Sequence, residues 1–201
     1  LFNGILAFIF YRDKNTDRNF VSLLIGLTLS FLSMVAPVQF DGNDITLFWA
    51  AETVTLYWLF MRSRIVLLKL TSVLIAGLML FSLLGHWISV YLNQTHTSMP
   101  VIINSGFVTG LVVAVAVLLY NFLQRKEKDA VFYIGIPAGS IRTTTLILGI
   151  CISYLTGILE IHFQFSSRNP DTPASAIYLQ LYSYCCIMLL LFLFRKDKAA
   201  P

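Results

Sequence analysis

Six polar side chains stand inside long apolar stretches of the sequence, where an ionisable or amide group is costly unless it is paired or meets water. That cost alone makes them candidates for chemistry. They are Glu52, Glu160, His86, His162, Asn104 and Gln164. All six fall in the outer halves of the helices predicted below, so we predict that they line a polar cavity open to the periplasm. The alternative is that polar residues are tolerated near any membrane interface.

Glu52 stands out because its predicted depth is the hardest to explain by an interface. An acidic residue at a helix centre costs roughly 2.5–3.5 kcal/mol on the insertion scale. We expect Glu52 either to be linked to a proton or a substrate, or to pin two helices by hydrogen bonds. Glu160 is expected either to be linked to a proton or a substrate as well, or simply to reach water at the interface. The helical neighbours of Glu52 at three and four residues are Phe48, Trp49, Thr55 and Leu56. Glu160 stands one turn beyond Thr156 and Gly157.

The motifs of several common enzyme classes are missing from the sequence. It has no Walker A loop, no H-E-x-x-H pair, no G-x-S-x-G elbow and no dinucleotide fingerprint. Cys151, Cys185 and Cys186 lie in apolar runs without metal-ligand spacing. We therefore predict no metal site and no cofactor.

The composition is that of a membrane protein. Apolar residues make up 57% of the chain and charged residues 12%, against roughly 45–50% and 25% in soluble domains. The basic residues fall in short loops and form no continuous patch, which argues against nucleic acid as a partner. The lipid bilayer is the expected partner.

Apolar runs of about 20 residues predict the helices that cross the bilayer. We predict an all-α, polytopic transmembrane bundle with six full spans and the end of a truncated seventh. Because the chain starts inside an apolar run, we expect a fragment of a longer protein, with upstream helices and other membrane subunits as further partners. The spans are near 1–11 (partial), 19–40, 44–61, 65–91, 101–123, 143–165 and 175–194. Residues 130–136 are expected to form a cytoplasmic connector or a short re-entrant piece.

The basic residues predict the orientation of these spans. All except Arg168 lie in or near every second connection or in the C-terminal tail, whereas segments 41–43, 92–100 and 166–174 carry only Arg168. Positive charge is retained on the cytoplasmic side of short loops. This pattern predicts a multi-pass protein of a bacterial inner membrane with a cytoplasmic C-terminus.

Small residues at four-residue spacing predict where helices pack closely, since lipid offers helices no hydrophobic reason to associate. Three spans carry such stripes, and we expect them to face the bundle. The stripes are Ser22, Gly26 and Ser30; Gly106, Gly110 and Ala114; and Gly149, Ser153 and Gly157.

A short motif also carries a family resemblance. Trp49, Ala50 and Glu52 follow a short loop and read W-A-x-E, and the later segments YLTGILEIHFQF and LQLYSYCCIMLLLF look like closing helices of the same pattern. Over residues 35–194 the chain resembles the bacterial family of predicted membrane proteins called domain of unknown function 2339. His162 and Gln164 stand near a place where that family often carries Arg. The resemblance implies a longer parent with many helices, and no activity.

Three functions remain open. The first is transport or flipping of an envelope-related substrate, with Glu52 and Glu160 as proton- or substrate-linked carboxylates. The second is a membrane-embedded envelope transferase, with Glu52 or Glu160 as base and His86 or His162 as its partner. The third is a non-catalytic scaffold subunit that packs on a larger partner through the small-residue stripes. We expect the first.

Overall fold

The computed structural model describes residues 42–92, 104–127, 131–133, 136–168 and 174–197, and within the segment 24–40 residues 24, 28, 31, 33–35 and 37–40. Nearly all of the described residues are helical, as the all-α prediction states. Apart from single turn and cap residues, the described part also contains a short antiparallel ladder between β1 (Val131–Tyr133) and β2 (Ile136–Pro137), which pairs Val131 with Pro137 and Tyr133 with Ile136.

The first two helices form a tight hairpin. Helix α1 spans Asn43–Ser63 and α2 spans Val66–Trp87. Between them Arg64 adopts a left-handed conformation with φ 58°, and its N–H donates to the Phe60 carbonyl at 2.7 Å. A left-handed residue of this kind ends a helix by satisfying one of its last carbonyls. The end of the bundle where α1 begins is called the upper end below, and the end where α1 stops is the lower end.

Helix α2 ends in an irregular turn at the upper end. Residues Ile88–Leu92 form a π-helix, in which each hydrogen bond reaches one residue further than in an α-helix. This wider turn carries Val90, which is buried, and Tyr91, whose ring lies against Gly106 at the start of the next helix.

Helix α3 (Ser105–Lys126) runs downwards and α4 (Ala138–Arg168) runs upwards. Asn104 caps α3, because its side-chain oxygen accepts the Phe107 N–H at 2.7 Å. Helix α4 begins directly after Pro137, five residues before the predicted start at 143. Proline cannot donate a backbone hydrogen bond, and the first residues of a helix have no use for that donor. Pro137 therefore precedes the helix instead of breaking it.

The helices pack as a row. Helix α1 lies against α2 and α3, α3 lies against α4, and α4 lies against α5 (Ala174–Asp197). One apolar core joins α1 to α4 through Ala50, Met79, Leu83, Val113 and Ile152. A second core, nearer the lower end, contains Leu56, Tyr57, Ile75 and Tyr120.

Four helices are long and apolar enough to cross a membrane. They match four of the predicted spans in order, and they are Val66–Tyr91, Ser105–Lys126, Ala138–Phe165 and Ser175–Phe192. Six spans are not confirmed. The predicted span 44–61 is the helix α1, which is long enough but less apolar because it contains Asp44, Glu52 and several hydroxyl side chains. Span 1–11 lies outside the described residues, and so does most of 19–40.

The small-residue stripes of α3 and α4 meet bulky side chains of neighbouring helices. A Cβ atom on Gly110 would lie 2.6 Å from the Thr156 hydroxyl, and one on Gly149 would lie 2.8 Å from Leu118. Gly106 lies against the Tyr91 ring and Gly157 against Tyr182.

The remaining members of the stripes differ among themselves. Ala114 is buried. Ser153 is exposed and its hydroxyl donates to the Gly149 carbonyl at 2.8 Å. Ser22, Gly26 and Ser30 lie outside the described residues.

Candidate functional site

A cluster of four polar side chains closes the upper end of the bundle. This upper cluster consists of Asn104, Glu160, Gln164 and Tyr91. The Asn104 amide donates to Oε2 of Glu160, and the Tyr91 hydroxyl lies 3.3 Å from the same oxygen. The Gln164 amide donates to Oε1 of Glu160 at 2.9 Å from one turn further along α4. Both carboxylate oxygens therefore have donors.

Because both of its carboxylate oxygens accept hydrogen bonds, Glu160 is best explained as a residue that stabilises the fold. A buried polar group is costly when it lacks partners, and it stabilises the fold when every member is paired. The cluster joins the π-helical end of α2 to α3 and α4. The indole N–H of Trp87 adds a bond of 3.2 Å to the Gly106 carbonyl at the same place.

Glu52 lies in a different environment, part-way along α1. Its residue is 7% exposed, and its Oε1 accepts the Ser33 hydroxyl at 2.6 Å from a separate helical segment. Its Oε2 is buried and has no hydrogen-bond partner among the described residues. Half of this carboxylate is therefore unsatisfied, in contrast to Glu160.

Other unpartnered polar atoms occur in the upper half of the described bundle. Among the described residues they belong to α1, α2 and α3, and with Glu52 they are Trp49 Nε1, Thr53 Oγ1, His86 Nε2 and Thr109 Oγ1. Buried polar atoms normally bind protein groups or ordered water. Groups of this type, left without protein partners, can hydrogen-bond water or a solute.

The predicted site residues are thus placed in three different ways. Asn104, Glu160 and Gln164 contact one another in the upper cluster. His162 is exposed on α4. His86 is half-buried and hydrogen-bonds the backbone of Ser105. That all six predicted residues, Glu52 included, line one cavity stays a prediction.

A buried ion pair at the lower end was not foreseen. The Lys69 ammonium lies 2.6 Å from Oε1 of Glu127, and the two side chains are 6% and 2% exposed. The Tyr57 hydroxyl donates to the other carboxylate oxygen, and the Arg142 guanidinium donates to the Glu127 backbone carbonyl at 2.6 Å. The Phe60 ring lies 4.9 Å from the ammonium. We call these residues the lower network.

The sequence did hold one signal for the lower network. Lys69 lies about a turn inside the predicted span, where a charge is costly unless the side chain extends towards the interface, as lysines near helix ends can. In the structure Lys69 is buried instead, and Glu127, directly after α3, supplies the counter-charge. Nothing in the spacing of these residues reveals that contact.

A second set of polar bonds fastens α3 to α4 beside the lower network. The Asn121 amide donates to the Thr145 hydroxyl at 2.8 Å, and Thr145 donates to the Gln124 side-chain oxygen at 2.9 Å. The Ser72 and Tyr120 hydroxyls lie 3.2 Å apart between α2 and α3. The lower half of the bundle is therefore held by paired polar groups, with Gln124 Nε2 as its unpartnered buried atom among the described residues.

Within the described ranges, no three His, Cys, Asp or Glu side chains are grouped so that they could hold a metal ion. Comparison with known proteins adds no relative: no protein-family model matches the chain, and neither a curated protein nor a solved structure is significantly similar to it.

Proposed function

We propose that the protein belongs to a machinery that transports or flips an envelope-related substrate across a membrane, and that Glu52 is its proton-linked carboxylate. The observation that supports this most is the buried Oε2 of Glu52, which has no partner among the described residues. A membrane interior tolerates such a group where it meets water, a proton or a substrate.

The contrast with Glu160 sharpens the proposal. Glu160 has donors on both oxygens from Asn104, Tyr91 and Gln164, so its carboxylate has no need of a solute. Glu52 has one donor among the described residues, the Ser33 hydroxyl. We therefore assign the functional role to Glu52 alone and a structural one to Glu160, where the sequence suggested both.

The alternative functions have less support. A transferase would use a base beside a partner within hydrogen-bonding reach, and Glu52 has no histidine partner among the described residues. A scaffold that docks through small-residue stripes would need those stripes exposed. Gly106, Gly110 and Gly149 instead pack against side chains of this chain.

The setting of the proposal follows the charge pattern and the family resemblance. We propose a bacterial inner membrane, with the lower end of the bundle and the C-terminus in the cytoplasm. Membership of the domain of unknown function 2339 family, carried by Trp49, Ala50 and Glu52, is likewise a proposal.

The test is proton movement in proteoliposomes. The purified protein is reconstituted into liposomes that contain the pH-sensitive dye pyranine. Potassium efflux through valinomycin then sets a membrane potential that is negative inside the liposomes. We expect proton entry faster than in empty liposomes, and a loss of that difference in Glu52→Gln, which keeps the size and the Ser33 bond but cannot titrate.

Asp44→Asn is the matched control. It removes an exposed acid from the same helix, so we expect wild-type proton entry. Unchanged entry in a folded Glu52→Gln variant, or equal loss in Asp44→Asn, would refute the role of Glu52.

A further inference from the structure

A deep groove runs along the face of the bundle formed by α3, α4 and α5. It encloses about 820 Å³, within the roughly 300–1,000 Å³ that small-molecule sites occupy. Its walls are mostly apolar side chains, among them Leu118, Ile150 and Leu190. It lies away from α1, so it is separate from Glu52.

The two ends of the groove differ in chemistry. At mid-height the rings of Tyr154 and Tyr182 stack with centroids 5.8 Å apart and an interplanar angle of 12°. Arg125 lines the groove from the last turn of α3, at the lower end. The α4 residues that line it run from Leu146 to Tyr154, eight residues or about 12 Å of helix.

Arg125 is held beside the groove by its own helix. Its Nε donates to the Asn121 side-chain oxygen at 3.2 Å. Among the described residues, the Arg125 side chain makes no other hydrogen bond. It is the one charged residue among those that line the groove. A guanidinium that has used one N–H retains the fork of donors that suits a phosphate.

We propose that this groove binds one anionic phospholipid, with the phosphate on Arg125 and an acyl chain along α4 towards the two tyrosines. Both the charge and the shape of the groove favour a phospholipid as its occupant. A single cation at the interface end of a long apolar channel is complementary to a single anionic head on a long apolar chain. A helix from another protein would match the guanidinium only if it carried an acidic residue at this depth, where a charge is costly.

Lys126 provides a matched control within the same turn. It is exposed and its ammonium lies 4.3 Å from the centroid of the Phe122 ring. It does not line the groove. A general attraction of basic residues to anionic lipid would involve Lys126 as much as Arg125, whereas a built site requires Arg125.

The experiment is native mass spectrometry of the delipidated protein with phosphatidylglycerol or phosphatidylcholine of identical acyl chains. A lysine or arginine near an anionic surface contributes a factor of roughly five in binding. We expect the wild type and Lys126→Gln to prefer phosphatidylglycerol by about that factor, and Arg125→Gln to lose the preference. Equal loss in both variants, or retention in Arg125→Gln, would overturn the proposal.

The acyl-chain part of the site is tested at Cys185, which is exposed and lines the groove. Cys185→Trp should fill the groove and reduce occupancy by both lipids. Ile177→Trp, on an exposed part of α5 outside the groove, should not. Equal occupancy in these two variants would contradict an acyl chain in the groove.

The cysteines give a second, independent measurement. All three cysteines of the chain line the groove, so an apolar maleimide reports on its occupant. We expect labelling in the delipidated protein that slows when phosphatidylglycerol is added. If the thiols stay unreactive without lipid, another helix fills the groove, and the proposal is wrong.

Discussion

Replacement of Lys69 by methionine should destabilise the protein more than almost any other single change at the lower end. Methionine matches the length of most of the lysine side chain but removes its charge. Glu127 would then keep the Tyr57 hydroxyl as a donor and lose the ammonium at 2.6 Å. Its side chain is 2% exposed, so water cannot replace the lost partner without opening the helix ends.

The expected cost follows from that burial. Removal of one partner from a buried ion pair costs about 3–5 kcal/mol, because the other charge is left buried and uncompensated. Glu127→Gln should cost a similar amount, since it removes the carboxylate charge that faces the buried ammonium. The double variant Lys69→Met with Glu127→Gln removes both charges and keeps an acceptor for Tyr57. We expect it to be within about 1 kcal/mol of the wild type.

The measurement is the free energy of unfolding in mixed micelles during titration with dodecyl sulfate, followed by fluorescence of the three tryptophans. Lys126→Met is the control, because that lysine also lies over an aromatic ring but is exposed. It should cost about 0.5–1 kcal/mol, the size of an exposed cation–π contact. If Lys69→Met costs no more than this control, or if the two single changes add in the double variant, the pair is hydrated and the reasoning fails.

The remaining predictions concern packing, capping and orientation. Gly110→Leu should lower the free energy of unfolding by about 1–3 kcal/mol through overpacking. Gly77→Leu should not, because nothing lies close to the position that a Cβ atom on Gly77 would take. Equal midpoints of thermal unfolding for the two variants would contradict this prediction. Asn104→Ala removes the cap of α3 and a donor to a buried carboxylate, so unfolding should be easier by about 2–4 kcal/mol; a loss below 1 kcal/mol would show that water replaces the amide. In a cysteine-free background, an impermeant maleimide should label Asp44→Cys from outside cells and Ser140→Cys only after lysis; the reverse would overturn the predicted orientation.

The helices were predictable where the local pattern determines them. The turn at Arg62 and Arg64 separates two apolar runs, and α2 begins at Val66, one residue from the predicted limit. Long apolar runs must be helical at membrane depth because every backbone group needs a partner within the segment. The start of α4 lies five residues before the predicted limit of 143, because the residues after Pro137 are already helical although they lie outside the apolar run.

The contacts between helices were much less predictable. Lys69 and Glu127 are 58 residues apart, and the sequence does not reveal that the end of α3 lies over the α1–α2 turn. Glu127 stands between Lys126 and Lys128 in the sequence, a charged setting that is typical of an exposed loop, so the local pattern does not indicate its burial. For Asn104 and Glu160, similar predicted depth was the only guide, and depth alone does not say which helices are adjacent.

The π-helical turn at Ile88–Leu92 has an evolutionary consequence. A turn of this kind accommodates one additional residue without altering the helix before it, so it resembles the trace of a single-codon insertion. It delays the rotation of the following side chains by about one residue, roughly 100°. Without it the Tyr91 side chain would be rotated by about 100° around the helix axis from the direction in which it meets Glu160. Homologues one residue shorter between Trp87 and Tyr91 should therefore lack the tyrosine–carboxylate contact, and should show a compensating donor at another position.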